Sequence, residues 1–433
     1  MFPPGRRLAG ALVILATSGC ALLGPAGIAT AQPLPDKPSH TQPRPAPNAP
    51  CTVPLAPPPP IDASERPQPG EAPPTPLPMP DRPVGGPRMA ECGLVLPPGA
   101  PPVPPGETTA SWVLADLNSG AVLAARNPHA RERPASLLKV LTALVALRRL
   151  DLDTVVEGTA EDANMDGSRV GVNPGGRYTV RQLLTGLVMN SGNDAANALA
   201  RELGGVPATL RAMSETAAEI GALDTRPASP SGLDAAGMST SAYDLAAIYR
   251  VVHRDPTFAE VSRTRLFDWP GAAGRPGYKI SNDNHLLGWY QGAIGGKTGF
   301  TDDARHTLIV AAERGGRRLV AVLMRGEQRP VTMDAQAARL LDYGFGLPAT
   351  TAPVGTLVDH RPPTDAEVAA AAHSPATSPP APAETKVENR IAGLAVIGAG
   401  VILGVLASVL VARRRPRPGG RHTASRPETP AEP

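Results

Sequence analysis

Hydrophobic and polar positions between residues 111 and 346 follow short patterns, each of which predicts an element. The stretches "WVLAD" and "AVLAAR" flank the turn-forming "LNSG", which predicts a β-hairpin. From residue 136 to about 149, "SLLKVLTALVALRR" joins good helix formers to enough apolar residues for a helix buried on most sides. Residues 179–204 predict two helices, "VRQLLTGLVM" and "DAANALARELG", separated by the turn-forming "NSGN".

The pattern continues towards the end of this region. "ATLRAMSETAAEIG" predicts a helix, and "SAYDLAAIYRVVHR" predicts another, which we expect Ser239 and Thr240 to cap. "TLIVAAE" and "RLVAVLM", joined by a turn at residues 314–316, predict a second hairpin, and "TMDAQAARLLDYGF" predicts a last helix. Strands at both ends with helices between them indicate an α/β (α+β) fold, in which an antiparallel sheet packs against helices. We place this domain at residues 107–349, which is long enough for a sizeable core.

Proline-rich segments lie on both sides of this domain, at residues 32–106 and 350–389. They contain runs such as "APPPP" and "PPGAPPVPP", so we predict polyproline II and irregular structure there. We interpret both as linkers, the first being a stalk or wall-spanning spacer. Composition fits equally well a ligand for a proline-recognising partner. Cys51 and Cys92 lie in the first segment and are expected to form a structural disulfide if the chain is exported.

Both ends of the chain carry apolar stretches that predict a membrane topology. Residues 1–31 contain two arginines and then a long apolar run, a pattern typical of a secretory signal peptide, with a retained anchor as the alternative and lipidation of Cys20 weakly signalled. Residues 390–412 are apolar and long enough to span a bilayer as one helix. Because arginines follow at once, the positive-inside rule places the tail, residues 413–433, in the cytoplasm. We therefore expect a single-pass protein of the cell membrane whose globular domain lies outside the cytoplasm.

Charge and histidine spacing exclude two classes of function. The formal net charge of +3 is small and scattered, without basic runs alternating with aromatic residues, so we expect no nucleic acid partner. The histidines show no metal-ligand spacing, and we expect neither a metal nor an organic cofactor. The histidines considered are His129, His253, His285, His306 and His360.

Three short polar motifs carry the candidate chemistry. In "PASLLK", Ser136 and Lys139 share one face of a helix, where a lysine held neutral by burial and nearby cations can take the proton of a serine hydroxyl. "SGN" places Ser191 and Asn193 two apart in a turn, and "KTG", starting at Lys297, follows a glycine-rich approach that suits an edge strand beside a bound peptide. Each motif alone is weak. Their joint order and spacing match the signature of the penicillin-recognising serine enzymes.

From about residue 111 to 346 the chain resembles the D-alanyl-D-alanine carboxypeptidases of the low-molecular-mass penicillin-binding proteins, peptidase family S11. The wider phrases "YTVRQLLTGLVMNSGNDAANALA", "SPSGLDAAGMSTSAYDLA" and "GAIGGKTGFTDDARHTLIVAAE" carry this resemblance. It implies a β-lactamase/transpeptidase-like fold, with an antiparallel five-stranded sheet packed with helices and a helical lobe beside the active-site cleft. It also implies a serine-type carboxypeptidase that acts on peptidoglycan stem peptides ending in D-Ala-D-Ala and is inhibited by β-lactams.

The resemblance further implies a role for each motif residue. Ser136 attacks the carbonyl of the penultimate D-alanine with Lys139 as general base, and Ser191 is the third catalytic residue. The backbone N–H groups of Ser136 and Phe300 stabilise the oxyanion. Lys297 and Thr298 bind the terminal carboxylate. The expected substrate-binding residues are Asn193, Lys297, Thr298, Gly299 and Phe300.

Two further residues are placed by the same phrases. Arg305 stands where relatives usually carry a glycine, a departure that affects the loop after "KTG" and bears on substrate preference. Asp234 in "SGLD" is expected to brace the loop near the cleft and carries no catalytic duty.

Three alternatives share the motifs. A class A β-lactamase needs a glutamate downstream of the second motif for deacylation, but no "ExxLN" phrase occurs between Glu219 and Glu260, and the second motif reads "SGN" rather than "SDN". An endopeptidase or transpeptidase differs only in the bond cut or the acyl acceptor, so motif logic cannot separate it. The third alternative is a catalytically weak wall-binding protein, which the intact motifs disfavour.

Overall fold

The structure is a computed structural model that describes residues 54–67, 70–272 and 274–373. Its strands, in chain order, are β1 (Leu94–Val95), β2 (Ser111–Asp116), β3 (Ala121–Arg126), β4 (Val155–Glu157), β5 (Arg177–Thr179), β6 (Leu266–Trp269), β7 (Tyr278–Ser281), β8 (Ala293–Thr301), β9 (Arg305–Arg314), β10 (Arg317–Gly326) and β11 (Gly355–Thr356). The α-helices are α1 (Lys139–Arg149), α2 (Ala160–Ala163), α3 (Val180–Met189), α4 (Asn193–Glu202), α5 (Val206–Ile220), α6 (Ala242–Val252), α7 (Pro256–Arg263), α8 (Leu286–Trp289), α9 (Met333–Gly346) and α10 (Asp365–His373). Two 3-10 helices cover Pro87–Ala90 and Ala135–Leu138.

An antiparallel sheet forms the centre of the molecule. Its strand order is β1-β3-β2-β10-β9-β8, and β11 also pairs with β3. The predicted five-stranded sheet is therefore corrected to seven strands. The five long strands agree with the expectation, whereas β1 and β11 are two-residue strands that lie end to end along the outer edge of β3. Segments this short carry no periodic pattern in the sequence, and they protect an edge that would otherwise be open.

The sheet separates two hydrophobic cores, as strand alternation requires. Along β9 and β10, Ile309 and Val320 belong to the larger core, which the sheet shares with most of the helices. Their neighbours Val310 and Leu319 belong to a smaller core beneath α9. Since both faces are covered, the central strands read as continuous apolar runs, and the predicted α/β (α+β) class is confirmed.

The predicted hairpins are both present. Gly315 and Gly316 form the two-residue connection between β9 and β10 with positive φ at both positions, the backbone that such tight hairpins need. In the β2–β3 turn, Asp116 Oδ1 accepts hydrogen bonds from the backbone N–H groups of Asn118 and Ser119. Local turn chemistry therefore stabilises the connections of both hairpins.

The predicted helices are present, with two local corrections. The helix expected from residue 136 begins as the 3-10 helix Ala135–Leu138 and becomes α-helical only at Lys139. The cap of α6 is Ser241, whose hydroxyl accepts from the N–H of Asp244, rather than Ser239 or Thr240. Those two residues instead form isolated β-bridges with Arg226 and Glu132, so their backbone is already committed to extended structure.

The packed part of the chain extends beyond the predicted span of residues 107–349. Upstream, Val84 and Met89 are buried in the larger core although they lie in the predicted spacer. Downstream, Val354 and Leu357 join the same core, and the hydroxyl of Tyr243 donates to Thr356 O at 2.6 Å. Both proline-rich flanks thus contribute to the domain in the part that the structure describes.

We call residues 54–67 and 70–84 the strap. Arg131, whose side chain is almost fully buried, fastens the strap by donating to three of its carbonyls, Leu55 O at 2.9 Å, Leu77 O at 2.7 Å and Pro78 O at 2.9 Å. The backbone carbonyls of the strap need such donors because its prolines leave few N–H groups in the segment to bond with. The guanidinium group of Arg131 thus supplies hydrogen bonds that neighbouring backbone N–H groups would supply in a regular β-sheet.

Several predictions for the termini fall outside the described residues. They are the signal peptide at 1–31, the spanning helix at 390–412 and the tail at 413–433. Within the described part of the chain, no helix is long and apolar enough to cross a membrane. Cys92 is disulfide-bonded. Cys51 lies outside the described residues, so its pairing with Cys92 stays a prediction.

Burial of Met89 gives a test of the extended domain. Met89→Ala should lower the free energy of unfolding by about 2–5 kcal/mol, because it removes a fully buried side chain and leaves a cavity beside Gly355. Met79→Ala is the matched control, since Met79 is exposed in the same segment. Chemical denaturation of both variants measures the difference. Equal stabilities would show that the segment before residue 107 does not pack as described.

Candidate active site

The nucleophile and its base are brought together by the 3-10 turn at the start of the α1 segment. Side chains three residues apart stack above one another in a 3-10 helix, and Lys139 Nζ lies 2.8 Å from Ser136 Oγ. Lys139 Nζ also donates to Ser231 O at 2.6 Å. Ala135, directly before the serine, has a φ of 46°, a strained conformation that marks many functional sites. The predicted Ser136–Lys139 pair is therefore in hydrogen-bonding contact.

The electrostatic surroundings favour a neutral Lys139 amine. Lys139 is fully buried, and burial together with the positive charge of Lys297 holds its pKa well below the usual value. The carboxylates of Asp194 and Asp283 act in the opposite direction. Burial also lowers the pKa of Lys297, to about 8, against the opposing charge of Asp283. At neutral pH the site can thus hold one neutral and one charged lysine.

The second motif lies in the break between α3 and α4. Ser191 has a φ of 58°, and both Ser191 and Asn193 are buried. The amide of Asn193 donates through Nδ2 to Asp166 O at 2.6 Å, while its buried Oδ1 has no hydrogen-bond partner. Asn193 therefore offers an acceptor that a substrate N–H could satisfy.

Asp194 anchors the loop that faces this motif. Its carboxylate accepts from three successive backbone N–H groups, those of Val170, Gly171 and Val172, at 3.0, 2.7 and 2.8 Å. Asp194 lies in the first turn of α4. The anchoring role depends on a loop more than twenty residues upstream, which no local pattern reveals.

The third motif lies on β8, the last strand of the sheet order. Among the described residues β8 pairs as a strand only with β9, and the N–H of Gly296 donates to Ser262 Oγ of α7 at 3.0 Å, so the part from Thr298 onward is the edge without a strand partner. A Cβ added at Gly299 would lie 3.0 Å from Ser136 N, which shows how closely the "KTG" strand approaches the nucleophile. Lys297 is buried and donates to Thr298 O at 2.8 Å, whereas Phe300 is exposed. The third motif thus lies against the nucleophile segment, and the charge of Asp194, next to Asn193 of the second motif, acts on Lys139.

Two contributors to this cleft were missed by sequence reasoning. Ser231, in the phrase "SPSGLD", supplies the carbonyl that accepts from Lys139. Asp283 influences both active-site lysines and is held at the end of α3, where its N–H donates to Met189 O and its Oδ1 accepts from Asn190 Nδ2 at 3.1 Å. An acidic residue in the loop just after β7 has no motif of its own, so only the fold could identify it.

Asp234 contacts the last residue of β8, and Arg305 is the first residue of β9. Burial, with the negative charges of Asp303 and Glu65, raises the pKa of Asp234 to about 6, while a hydrogen bond from Thr301 opposes this rise. This contact links the "SGLD" loop to the end of β8, in agreement with a bracing role. Arg305 has a φ of 56°, which explains why glycine suits this position, and its guanidinium is held by both oxygens of Glu327 at 2.9 and 3.0 Å.

One cluster of metal-ligating residue types occurs in the described residues, away from the motifs. His129, Asp224 and Asp244 offer ligand atoms within 4.8 Å of one another. These groups already have protein partners, because Asp224 accepts from His129 at 2.7 Å and from Arg131 at 2.9 Å, while the other ring nitrogen of His129 lies 2.9 Å from Val84 O. We interpret the cluster as a fastening of the strap.

Comparison with known proteins identifies the family of this chain. The family model described as D-alanyl-D-alanine carboxypeptidase, Peptidase S11, matches residues 100–328. The chain belongs to this family. Curated members of the S11 family that resemble it include D-alanyl-D-alanine carboxypeptidase DacB2 of Mycobacterium tuberculosis, 46% identical over 258 residues, which are 58% of this chain and 87% of the relative. DacD of Escherichia coli is 36% identical over 258 residues, covering 56% of this chain and 64% of the relative.

Solved structures of the S11 family agree. A crystal structure of D-alanyl-D-alanine carboxypeptidase from Mycobacterium tuberculosis has a TM-score of 0.58 and 44% identity, and the match covers 61% of this chain and all of that one. A serine-to-alanine mutant of Streptomyces K15 DD-transpeptidase has a TM-score of 0.54 and 28% identity over 56% of this chain and all of that one. The expected β-lactamase/transpeptidase-like fold and serine hydrolase class are therefore confirmed.

The lysine pair predicts the pH dependence of acylation. The expected role of Lys139 as general base requires its neutral form, so the rate should fall as pH drops through its lowered pKa. The expected role of Lys297 in binding a carboxylate requires its charged form, so the rate should also fall as pH rises through about 8. Stopped-flow acylation by a chromogenic β-lactam measures both limbs.

Asp283→Asn provides the matched variant for this prediction. Removing its negative charge lowers the pKa of both lysines, so the whole profile should move to lower pH. A rate that is independent of pH across the neutral range, or a profile unmoved in Asp283→Asn, would contradict the assigned electrostatics.

Proposed function

We propose that the protein is a serine-type D-Ala-D-Ala carboxypeptidase that removes the terminal D-alanine of peptidoglycan stem peptides through an acyl-enzyme on Ser136. The observation that carries the proposal is the 2.8 Å contact between Ser136 Oγ and the buried Nζ of Lys139. A hydroxyl becomes a useful nucleophile when a base of lowered pKa lies within hydrogen-bond reach. Family membership supplies the substrate class.

Acylation follows from this geometry. Lys139 takes the hydroxyl proton while Ser136 Oγ forms a bond to the carbonyl carbon of the penultimate D-alanine. Backbone N–H groups of Ser136 and Phe300 stabilise the oxyanion, which the approach of Gly299 to Ser136 N supports. When the intermediate collapses, the C–N bond breaks and the amine of the terminal D-alanine receives the proton. Ser191 assists this transfer from the helical side of the cleft.

Substrate binding uses the edge of β8 and the groups around it. The stem peptide lies along this edge as an added strand, while charged Lys297 and the hydroxyl of Thr298 bind the terminal carboxylate. Asn193 Oδ1 accepts an N–H of the peptide, which satisfies an otherwise unpartnered buried atom. Gly299 keeps the strand close enough to the nucleophile for these contacts to be made together.

Deacylation completes the cycle and distinguishes the enzyme from a β-lactamase. Water attacks the ester carbonyl, the C–O bond to Ser136 breaks, and the hydroxyl regains its proton. The two carboxylates that influence Lys139 are both committed, Asp194 to the loop at residues 170–172 and Asp283 to Asn190. Since neither is placed to activate a water as a class A β-lactamase does, a β-lactam should inhibit by leaving a long-lived acyl-enzyme.

Location is part of the proposal and is supported by the sequence alone. The apolar run within residues 1–31 favours export, and the apolar residues 390–412 followed by arginines favour one C-terminal membrane helix. The proposed protein is anchored in the cell membrane with its cleft facing the wall. Its substrate occurs on that side.

Ser136→Ala tests the function directly. We expect loss of covalent labelling by a fluorescent penicillin and a fall of about a thousandfold or more in D-alanine release, because the nucleophile is gone. Ser214→Ala is the control, since this exposed hydroxyl only bonds within its own helix. Mass spectrometry of the adduct locates the labelled residue. Equal labelling of wild type and Ser136→Ala would refute the proposal, and transfer of the acyl group to an added amine would indicate a transpeptidase.

A further inference from the structure

The strap contacts the segment that leads into the nucleophile. Arg133, three residues before Ser136, donates to both carboxylate oxygens of Glu65, with 2.8 Å between Nη2 and Oε2. The Arg133 side chain is 2% exposed and that of Glu65 13%, so the pair is shielded from solvent. A shielded, two-point pair of this kind fixes geometry as well as charge.

The strap also contacts the turn that follows the "KTG" strand. The N–H of Ile61 donates to Asp303 Oδ1 at 2.6 Å, and Asp303 is buried between β8 and β9. Two residues after it, Arg305 has the left-handed backbone already described. This turn therefore has one unfavourable conformation to maintain, and its buried carboxylate needs the strap as a donor.

The two contacts flank the catalytic elements. Arg133 precedes Ser136, and Pro134 between them accepts from Thr307 on β9 at 3.1 Å. Asp303 follows Phe300 at the other wall of the cleft. The negative charges of Glu65, Asp303 and Asp234 all stabilise the charged form of Arg133. These carboxylates come from the strap, the β8–β9 turn and the "SGLD" loop, so all three segments interact with the arginine that precedes the nucleophile.

From these contacts we infer that the strap is a positioning element of the active site, in which Glu65 and Ile61 hold the nucleophile segment and the "KTG" strand at their working separation. The strap precedes residues 100–328, where the chain matches the family model, so the family assignment does not supply this role. The inference rests on the proposed carboxypeptidase function. Small displacements of reacting groups cost rate more than binding, so the strap should act mainly on kcat.

The test uses the full chain and single-residue changes. Glu65→Gln removes one charge of the pair, Asp303→Ala removes the acceptor of Ile61, and the two are combined in a double variant. Glu65→Asp keeps a carboxylate and should retain more activity than Glu65→Gln. Asp81→Asn is the matched control, because Asp81 is an exposed carboxylate of the same strap. D-alanine release and the rate of penicillin acylation are measured per site that a fluorescent penicillin can label.

The double variant distinguishes a positioning role of the strap from a purely stabilising one. The double variant should lose about tenfold in kcat and in acylation rate per labelled site, with KM changed by less than about threefold, while Asp81→Asn matches wild type. If the double variant has fewer labelled sites or a lower Tm but an unchanged kcat per site, the strap only stabilises the fold and the inference is wrong. If wild type itself neither labels nor releases D-alanine, the proposed function fails instead.

Discussion

The rest of this structure depends on one arrangement, the buried amine of Lys139 beside the hydroxyl of Ser136. Lys139 is fully enclosed, and an ammonium group without solvent is costly unless it is neutralised or surrounded by acceptors. The site combines both solutions, since burial and Lys297 favour the neutral form while Ser231 O accepts one N–H. Asp194 and Asp283 limit the shift, so that the amine stays basic enough to take a proton.

The surrounding fold maintains this arrangement from two sides. On the helical side, Asp194 pins a loop against the second motif and Asn193 ties that loop to the cleft. On the sheet side, the approach of β8 is so close that a side chain at Gly299 would meet Ser136 N. A cleft of this kind depends on the relative position of two structural layers, and the strap contacts both of them through Arg133 and Asp303.

Local patterns were sufficient to predict the hairpins, most helices and the three motifs. The turn chemistry of "LNSG" and of Gly315 and Gly316 fixes the hairpins within a few residues, and the spacing of Ser136, Ser191 and Lys297 identifies the family. The pairs Lys139–Ser231, Asp283–Asn190 and Glu65–Arg133 were not predicted. Each pair joins residues that are 68 to 93 positions apart, and no local sequence pattern indicates which distant residue will be the partner.

The packing of the proline-rich flanks on the domain was not predicted, for a different reason. Composition indicates that such a segment cannot build a core of its own and so predicts a spacer, yet it does not exclude packing on a core that another segment provides. Val84, Met89 and Val354 add apolar surface, and the guanidinium of Arg131 supplies the hydrogen bonds that proline backbones lack. Short edge strands such as β1 and β11 were not predicted because two residues carry no periodic pattern.

Titration of Lys139 itself tests most directly whether its amine can act as the general base. Its ε-methylene can be followed by NMR in protein labelled with ¹³C-lysine, with the resonance assigned by comparison with Lys139→Arg. We expect a pKa of Lys139 well below the ordinary value for lysine, and a still lower pKa in Asp283→Asn. A Lys139 amine that titrates like an exposed lysine would rule out its role as general base, since a permanently charged ammonium cannot accept the proton of Ser136.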